Sequence, residues 1–116
     1  MIGLDRLLKK PGVLAAGEFS GSGQMLSGVG ELKKDELQEV ALICKKASET
    51  LGVVVGELDS KTSLDWNSLT GWVIMGHNLA LCVTGYAGVI VDTTRADFNE
   101  LLGDLFGPMS GEIPVP

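Results

Sequence analysis

Three apolar runs lie between Gly71 and Thr94, separated by the short breaks His77-Asn78 and Gly85–Gly88. The runs are rich in Val, Ile, Leu and Thr, which suit the pleated, half-buried surface of a sheet. Breaks this short join antiparallel neighbours only. The pattern therefore predicts a three-stranded meander at the middle of a sheet.

Shorter elements precede the meander. Leucines at helical spacing predict a first helix over residues 2–10, which Pro11-Gly12 ends. Two apolar stretches then predict strands over residues 12–20 and 24–30. The turn signal Ser20–Gly23 lies between them, so we expect a hairpin.

A long amphipathic helix is predicted after the hairpin. Asp35 followed by Gln38 resembles a capping box, with Asp35 as the N-cap. The apolar side chains that follow fall within an arc of about 160°, whereas packing on one sheet needs a stripe of about 100°. These residues are Leu37, Val40, Ala41, Ile43, Cys44, Ala47, Leu51, Val54, Val55 and Leu58. The extra width predicts a second packing partner for this helix.

The far end of this helix has two interpretations. The helical pattern runs to about Leu58, but the segment Gly52–Gly56, GVVVG, also has strand propensity and would then be an extra edge of the sheet. We favour the helix. Residues 59–70 are polar, with Leu64 and Trp66 as apolar anchors, and lead into the meander.

A last helix follows the meander. Thr94 and Asp97 form a second capping-box pattern, and Gly107-Pro108 is predicted to end the helix. Between them, apolar residues recur at helical spacing: Phe98, Leu101, Leu102, Leu105 and Phe106. The sequence thus predicts one domain over residues 1–107 and a mobile tail over residues 108–116.

Charge and composition narrow the class of partner. The 116-residue chain has a net charge of −6, which argues against nucleic acid and anionic membranes because both attract basic surfaces. A mean hydropathy of +0.27 is high for so small a chain and indicates that a partner covers some apolar surface. Cys44 and Cys82 lie singly inside apolar runs, which predicts buried free thiols in a reducing compartment. With no signal-peptide pattern and no apolar run of membrane-spanning length, we expect a cytoplasmic protein.

The sequence contains no pattern typical of a catalytic or cofactor site. The glycine-rich passage Gly21–Lys34 has neither the spacing nor the GK[ST] ending of a phosphate loop. His77, the single histidine, lies in a predicted turn and has no metal-ligand spacing with the two cysteines. Asp59, Asp65 and Asp92 lie near strand ends, where acidic residues commonly form turns. We therefore expect no metal, no cofactor and no catalytic residue.

Two tryptophans need a separate explanation. Trp66 precedes the meander and Trp72 begins it. Either indole has the flat surface needed to stack on a ligand, but tryptophans in or beside a sheet are more often core or interface anchors. We expect that second role for both.

The order of elements resembles the roadblock family, also called dynein light chain seven domains, and in particular an uncharacterised prokaryotic branch of it. The resemblance is carried by LDRLLKKPGVLAAGEFS near the start, GWVIMGHNLALCVTGYAGVIV in the meander and ADFNELL in the last helix. It implies an α+β fold of two to three layers, in the order α-β-β-α-β-β-β-α, around one five-stranded antiparallel sheet.

The resemblance also implies a homodimer in which the long helix of each subunit packs on its mate and the third strands pair edge to edge. Family members act as scaffolds or regulators of small Ras-like GTPases, or as subunits of motor and trafficking complexes. We therefore expect a non-enzymatic interaction module that regulates a small GTPase or binds another protein. The expected dimer interface comprises Leu37, Val40, Ala41, Cys44, Ala47, Leu51, Val55 and Trp72.

One alternative has a different partner. In a small-molecule sensor of profilin-like architecture, the helices and the sheet would enclose a pocket for a metabolite. A ligand-dependent rise in melting temperature would distinguish the sensor from the interaction module.

Overall fold

The computed structural model describes residues 3–111, and side chains as far as Leu105. Its elements follow the predicted order, which is therefore confirmed. They are α1 (Leu4–Leu8), β1 (Val13–Phe19), β2 (Met25–Gly30), α2 (Lys34–Lys61), β3 (Gly71–Met75), β4 (Leu79–Thr84), β5 (Ala87–Asp92) and α3 (Phe98–Gly111).

The five strands form one antiparallel sheet in the order β2-β1-β5-β4-β3. β5 pairs with β1, so the hairpin β1-β2 extends the predicted meander on one side. This leaves β2 and β3 as the two edge strands.

Apolar side chains fill both faces of the sheet. On one face, Leu7 of α1 and Leu101 and Leu105 of α3 pack with alternate residues of the strands, including Cys82 and Val89. The other face is covered by α2 and contains a second cluster: Phe19, Ala41, Cys44, Trp72 and Val83. The period-2 alternation of the strands thus serves two helical layers, one on each side.

The long helix α2 is continuous through Gly52–Gly56, which confirms the helical interpretation of that segment. Its predicted cap is wrong. The helix begins at Lys34, and the carboxylate of Glu36 accepts a hydrogen bond from the Lys33 amide at 2.9 Å. Several consecutive polar residues precede the helix, and each could act as its N-cap. The position of the N-cap therefore depends on the path of the chain after β2.

Gln38, expected in the cap of α2, instead contacts the hairpin. Its Oε1 accepts the backbone amide of Met25 at 2.9 Å, and its Nε2 donates to the Gly23 carbonyl at 2.9 Å. One side-chain amide thereby pairs with two backbone groups of the β2 segment, as another strand would. This contact fixes α2 on β2 and occupies part of that sheet edge.

The predicted capping box of α3 is also wrong. Asp97 caps the helix through Oδ1, which accepts the Glu100 amide at 3.2 Å. Thr94 instead hydrogen-bonds to Asp92. The helix does not end at Gly107-Pro108 but continues to Gly111. Pro108 lacks an amide donor and its ring crowds the preceding turn, but these two effects do not stop the helix here. Residues 112–116 of the predicted mobile tail lie outside the described residues.

An ion-pair network joins the end of α1 to α3. Lys10 Nζ lies 2.8 Å from Glu100 Oε1 and 2.9 Å from Asp104 Oδ2. The hydrogen bond with Glu100, followed by that with Asp104, raises the pKa of Lys10 above its usual value. These contacts hold the two helices that share one face of the sheet.

The turn after β5 is organised by Asp92. Its Oδ1 accepts the Thr94 hydroxyl at 2.6 Å and the Thr94 amide at 2.9 Å, and its Oδ2 accepts Arg95 Nε at 3.2 Å. The Thr94 hydroxyl first, then the Thr94 amide and Arg95, lower the pKa of Asp92 below its ordinary 3.8. The ionised form is therefore preferred in the folded chain.

We predict a pH-dependent contribution from Asp92. Because its folded pKa is depressed, the stability it adds is present above the unfolded pKa of 3.8 and is lost as pH falls through the lower folded value. Asp92→Asn should therefore melt below the wild type at neutral pH, and the difference should shrink once pH drops below about 4. Thermal melts across pH measure this. A difference in melting temperature that is unchanged down to pH 2 would contradict it.

A second prediction concerns the packing of α2 on β3. Trp72 is 9% exposed, and its Nε1 donates to Ser48 Oγ at 2.8 Å. Ser48→Ala leaves the indole N–H without its partner, so we expect a loss of about 1–2 kcal/mol in the free energy of unfolding. Urea denaturation measures it. Ser60→Ala is the matched control, because its exposed hydroxyl bonds only the Glu57 carbonyl of the same helix.

Candidate protein interaction surface

An open apolar groove runs between α2 and the edge strand β3. Its volume is about 600 Å³. Ile43 is 53% exposed and Ile74 is 50% exposed, although both belong to the layers that build the core. We call this the α2–β3 groove; it is lined by Ile43, Lys46, Ala47, Thr50, Leu51, Trp72, Val73 and Ile74.

The groove arises from the path of α2 across the sheet. Early in the helix, Leu37, Val40 and Ala41 lie over β1 and β2, while Ser48 contacts β3 through Trp72. Ile43 and Ala47 lie on the side of the helix away from β1 and β2 and line the groove. That side supplies the extra apolar width predicted from the sequence.

The structure divides the predicted interface residues into three groups. Ala47, Leu51 and Trp72 line the α2–β3 groove. Ala41 and Cys44 are 0% and 1% exposed, so the sheet of their own chain already covers them. The others are half-buried at different places along α2: Leu37 and Val40 border the cavity beneath the helix, and Val55 lies in its second half. The interface as a whole remains a prediction.

Five of the eight groove residues lie outside the predicted interface, and the two isoleucines among them are the most exposed large apolar side chains of the groove. Ile43 lies in the apolar arc of α2, but its exposure depends on how the helix is rotated on the sheet. Ile74 shares a strand face with Trp72, two residues before it, and only its place on an edge strand leaves it open. The period-2 pattern identifies the shared face but not the edge.

The two sheet edges differ. β2 is partly occupied by Gln38 and lies beside the first turns of α2. β3 pairs with β4 on one side only, and it carries the exposed side chains Val73, Ile74 and Met75. An edge of this kind can pair with another strand.

The cavity beneath α2 is small. It measures about 20 Å³ and is lined by apolar residues, with Ala15, Gly17 and Gly88 on the sheet side. A volume of this size holds roughly one water molecule. This cavity is therefore too small for the metabolite that the sensor alternative requires, and the larger pockets, of about 880 Å³ beside β2 and about 600 Å³ beside the β4-β5 turn, are open at the surface.

The candidate chemical groups lie apart from one another. Cys44 and Cys82 are free and buried, as predicted, and they belong to clusters on opposite faces of the sheet. Burial raises the pKa of each thiol to about 11, which makes both poor nucleophiles. His77 is exposed in the β3-β4 turn. Among the described residues, no three His, Cys, Asp or Glu side chains lie close enough to hold a metal ion.

Residues 3–106 match the model of a family described as "Uncharacterized conserved protein (DUF2173)". The chain belongs to the DUF2173 family. The match includes both edge strands and all of the α2–β3 groove. No helix in the described part of the DUF2173 chain is long and apolar enough to span a membrane.

The DUF2173 chain has the roadblock fold, as the sequence resemblance implied. It aligns with a Roadblock/LC7 domain from Streptomyces avermitilis at a TM-score of 0.73 and 14% identity, over 84% of this chain and 81% of that one. Myxococcus xanthus MglB aligns at a TM-score of 0.71 and 16% identity, over 84% of this chain and 78% of that one. The gliding protein MglB from Thermus thermophilus aligns at a TM-score of 0.68 and 18% identity, over 84% of this chain and 73% of that one. A comparison with curated proteins finds no match.

Proposed function

We propose that this protein is a non-enzymatic homodimeric interaction module. The α2–β3 groove is the observation that carries the proposal. Two isoleucine side chains in the groove are about half exposed, although other side chains already form an apolar cluster on each face of the sheet. Apolar surface of this kind, beside a free strand edge, is typical of a protein interface.

The proposed occupant of this surface is a second copy of the chain. Two β3 strands related by a two-fold axis pair antiparallel and join the two sheets into one of ten strands. The same axis brings the exposed flanks of the two α2 helices together. Main-chain hydrogen bonds and apolar packing then act in one isologous interface.

The dimer would present a composite surface to a further protein. The roadblock resemblance favours a small Ras-like GTPase as that protein, with the module as its scaffold or regulator. The net charge of −6 favours a basic contact surface on such a partner. The proposal places the module in the cytoplasm, where its two thiols stay reduced.

The first test is the solution mass by light scattering behind a sizing column, over a dilution series. We expect twice the chain mass of 12.2 kDa, persisting on dilution. A monomer at all concentrations would overturn the proposal.

The partner class is tested separately with a small GTPase encoded nearby, loaded with GDP or with a GTP analogue. We expect the dimer to bind one nucleotide state more tightly or to change the rate of GTP hydrolysis. If the protein is a stable dimer and neither effect is observed, the proposal of a GTPase partner is wrong and the proposal of an interaction module stands.

A further inference from the structure

Two apolar features at opposite ends of β3 are left largely uncovered by the described residues. Before the strand, the loop of residues 62–70 carries Leu64 and Trp66, which are 65% and 42% exposed. After the strand, a notch of about 190 Å³ lies at the corner of the sheet. Its lining includes Ile74, Gly76, Leu79, Leu81 and Ile90.

The loop is held in place although its large side chains are open. Asp59 Oδ1 accepts the amides of Trp66 at 3.0 Å and of Asn67 at 3.3 Å. Thr62 Oγ1 donates to the Leu58 carbonyl at 2.6 Å and ends α2. The loop therefore presents Trp66 and Leu64 in a fixed conformation, which lowers the entropy lost on binding.

The backbone of this loop also includes a special conformation. Asn67 has φ +56°, and no other non-glycine residue of the described chain has a positive φ. Asn tolerates this region better than most residues, but at some cost. The loop is thus ordered in a less common backbone conformation while two large apolar side chains stay exposed, which makes it a candidate contact surface.

The notch lies on the sheet face that carries α2. Ile74 is paired with Leu81, and it alternates with Val73 and Met75, which point to the other face. Ile74 and Leu79 are 50% and 51% exposed, which shows that α2 does not cover this corner. The loop joins the end of α2 to β3 and so approaches the sheet from the same face.

The geometry of strand pairing brings these features together. β3 has five residues and is about 17 Å long, so the loop and the notch of one chain lie apart. Antiparallel pairing about a two-fold axis places the start of one β3 beside the end of the other. Each loop then lies next to the notch of its partner, twice in the dimer.

We propose that Trp66 and Leu64 of each subunit fill the notch of the other subunit. This inference rests on the proposed homodimer. In that dimer, the same contact forms twice and anchors each subunit to the other. An indole inserted in an apolar notch is a common centre of binding energy. Asp65 adjoins Trp66 in the sequence, and the exposed His77 adjoins Gly76 of the notch, so the proposed contact would also bring a carboxylate and an imidazole N–H donor to the same rim.

Disulfide trapping tests the contact in the full chain. In the double variant Trp66→Cys, Leu79→Cys, a bond between the two new thiols must join two chains, because the length of β3 separates them within one. We expect most chains to run as a covalent dimer under oxidising conditions, with the 66–79 linkage found by peptide mass spectrometry. The native thiols are buried and react slowly. Trp66→Cys, Leu26→Cys is the matched control, with its second thiol on the opposite sheet edge, and should give no such dimer.

The outcomes separate this inference from the dimer itself. If the unmodified protein is a dimer but the 66–79 linkage is absent, the anchor is wrong and the dimer stands. If the unmodified protein is a monomer, both fail.

A truncation gives a second measurement. Trp66→Ala should raise the dimer dissociation constant about 30-fold, as loss of a tryptophan anchor does. Tyr86→Ala removes an aromatic ring that is 64% exposed at the β4-β5 turn and should leave that constant unchanged. Equal effects of the two substitutions would overturn the inference.

Discussion

Replacing Ile43 and Ile74 together by glutamate is expected to give a folded monomer. Both side chains are about half exposed in the single chain, so it can solvate the new carboxylates. In the proposed dimer the same positions are covered, and each buried charge costs several kcal/mol. We expect the dissociation constant to rise at least about 10³-fold, measured by light scattering across a dilution series.

Leu26→Glu is the matched control for this substitution. Leu26 is 66% exposed and lies on β2, the edge that the proposed interface does not use. The Leu26→Glu variant should remain dimeric. Circular dichroism and thermal melts of both variants establish that each subunit is folded. A dimer of unchanged affinity in the Ile43→Glu, Ile74→Glu variant would exclude the α2–β3 groove as the interface.

The same experiment on Leu51 would be harder to interpret. Leu51 belongs to the apolar arc predicted from the sequence, and in the structure it is half-buried and packs against the cluster beneath α2. A charge there disturbs the subunit as well as the groove. Ile43 and Ile74 separate the two effects.

Gly30→Ala is expected to destabilise the fold by about 3 kcal/mol or more, a large part of the stability of an ordinary domain. Gly30 has φ +114°, a conformation that side chains rarely adopt. An added Cβ would overlap the Leu14 carbonyl oxygen and lie 2.6 Å from Ala15 Cα. Both atoms belong to the backbone of the neighbouring strand β1, so neither can move aside without disturbing the hairpin.

Thermal and urea unfolding measure this effect, and we expect a fall in melting temperature of roughly 10 °C or more. Gly21→Ala is the control, because Gly21 lies in the β1-β2 turn without a positive φ, and the nearest atom to its added Cβ, Tyr86 Oη, is 3.6 Å away. Similar stabilities of the two variants would show that the strand pairing at Gly30 relaxes easily.

Much of the fold follows from local patterns. Alternating apolar residues and short breaks identify the meander, and the helical spacing of leucines identifies α1 and α3. The segment Gly52–Gly56 has β-branched residues at its centre and is nevertheless helical, because the apolar arc of α2 continues through it. Periodicity over a long window outweighs propensity over five residues.

The features that sequence did not reveal depend on contacts between distant residues. Gln38 is a good cap residue by position, but its amide meets the hairpin 13 and 15 residues earlier. The exposure of Ile74 follows from the sheet order, in which β5 lies beside β1 and leaves β3 at an edge. No short stretch of sequence encodes either fact.

The contact of Gln38 with β2 bears on how far the proposed assembly can grow. When two β3 strands pair, the joined sheet still ends in a β2 strand on each side. An open strand at that position would recruit further copies and extend the sheet into a fibre. The Gln38 amide already occupies the Met25 amide and the Gly23 carbonyl there. In the proposed dimer, one side chain on each subunit thus covers one end of the free β2 edge and hinders the pairing of a further strand there.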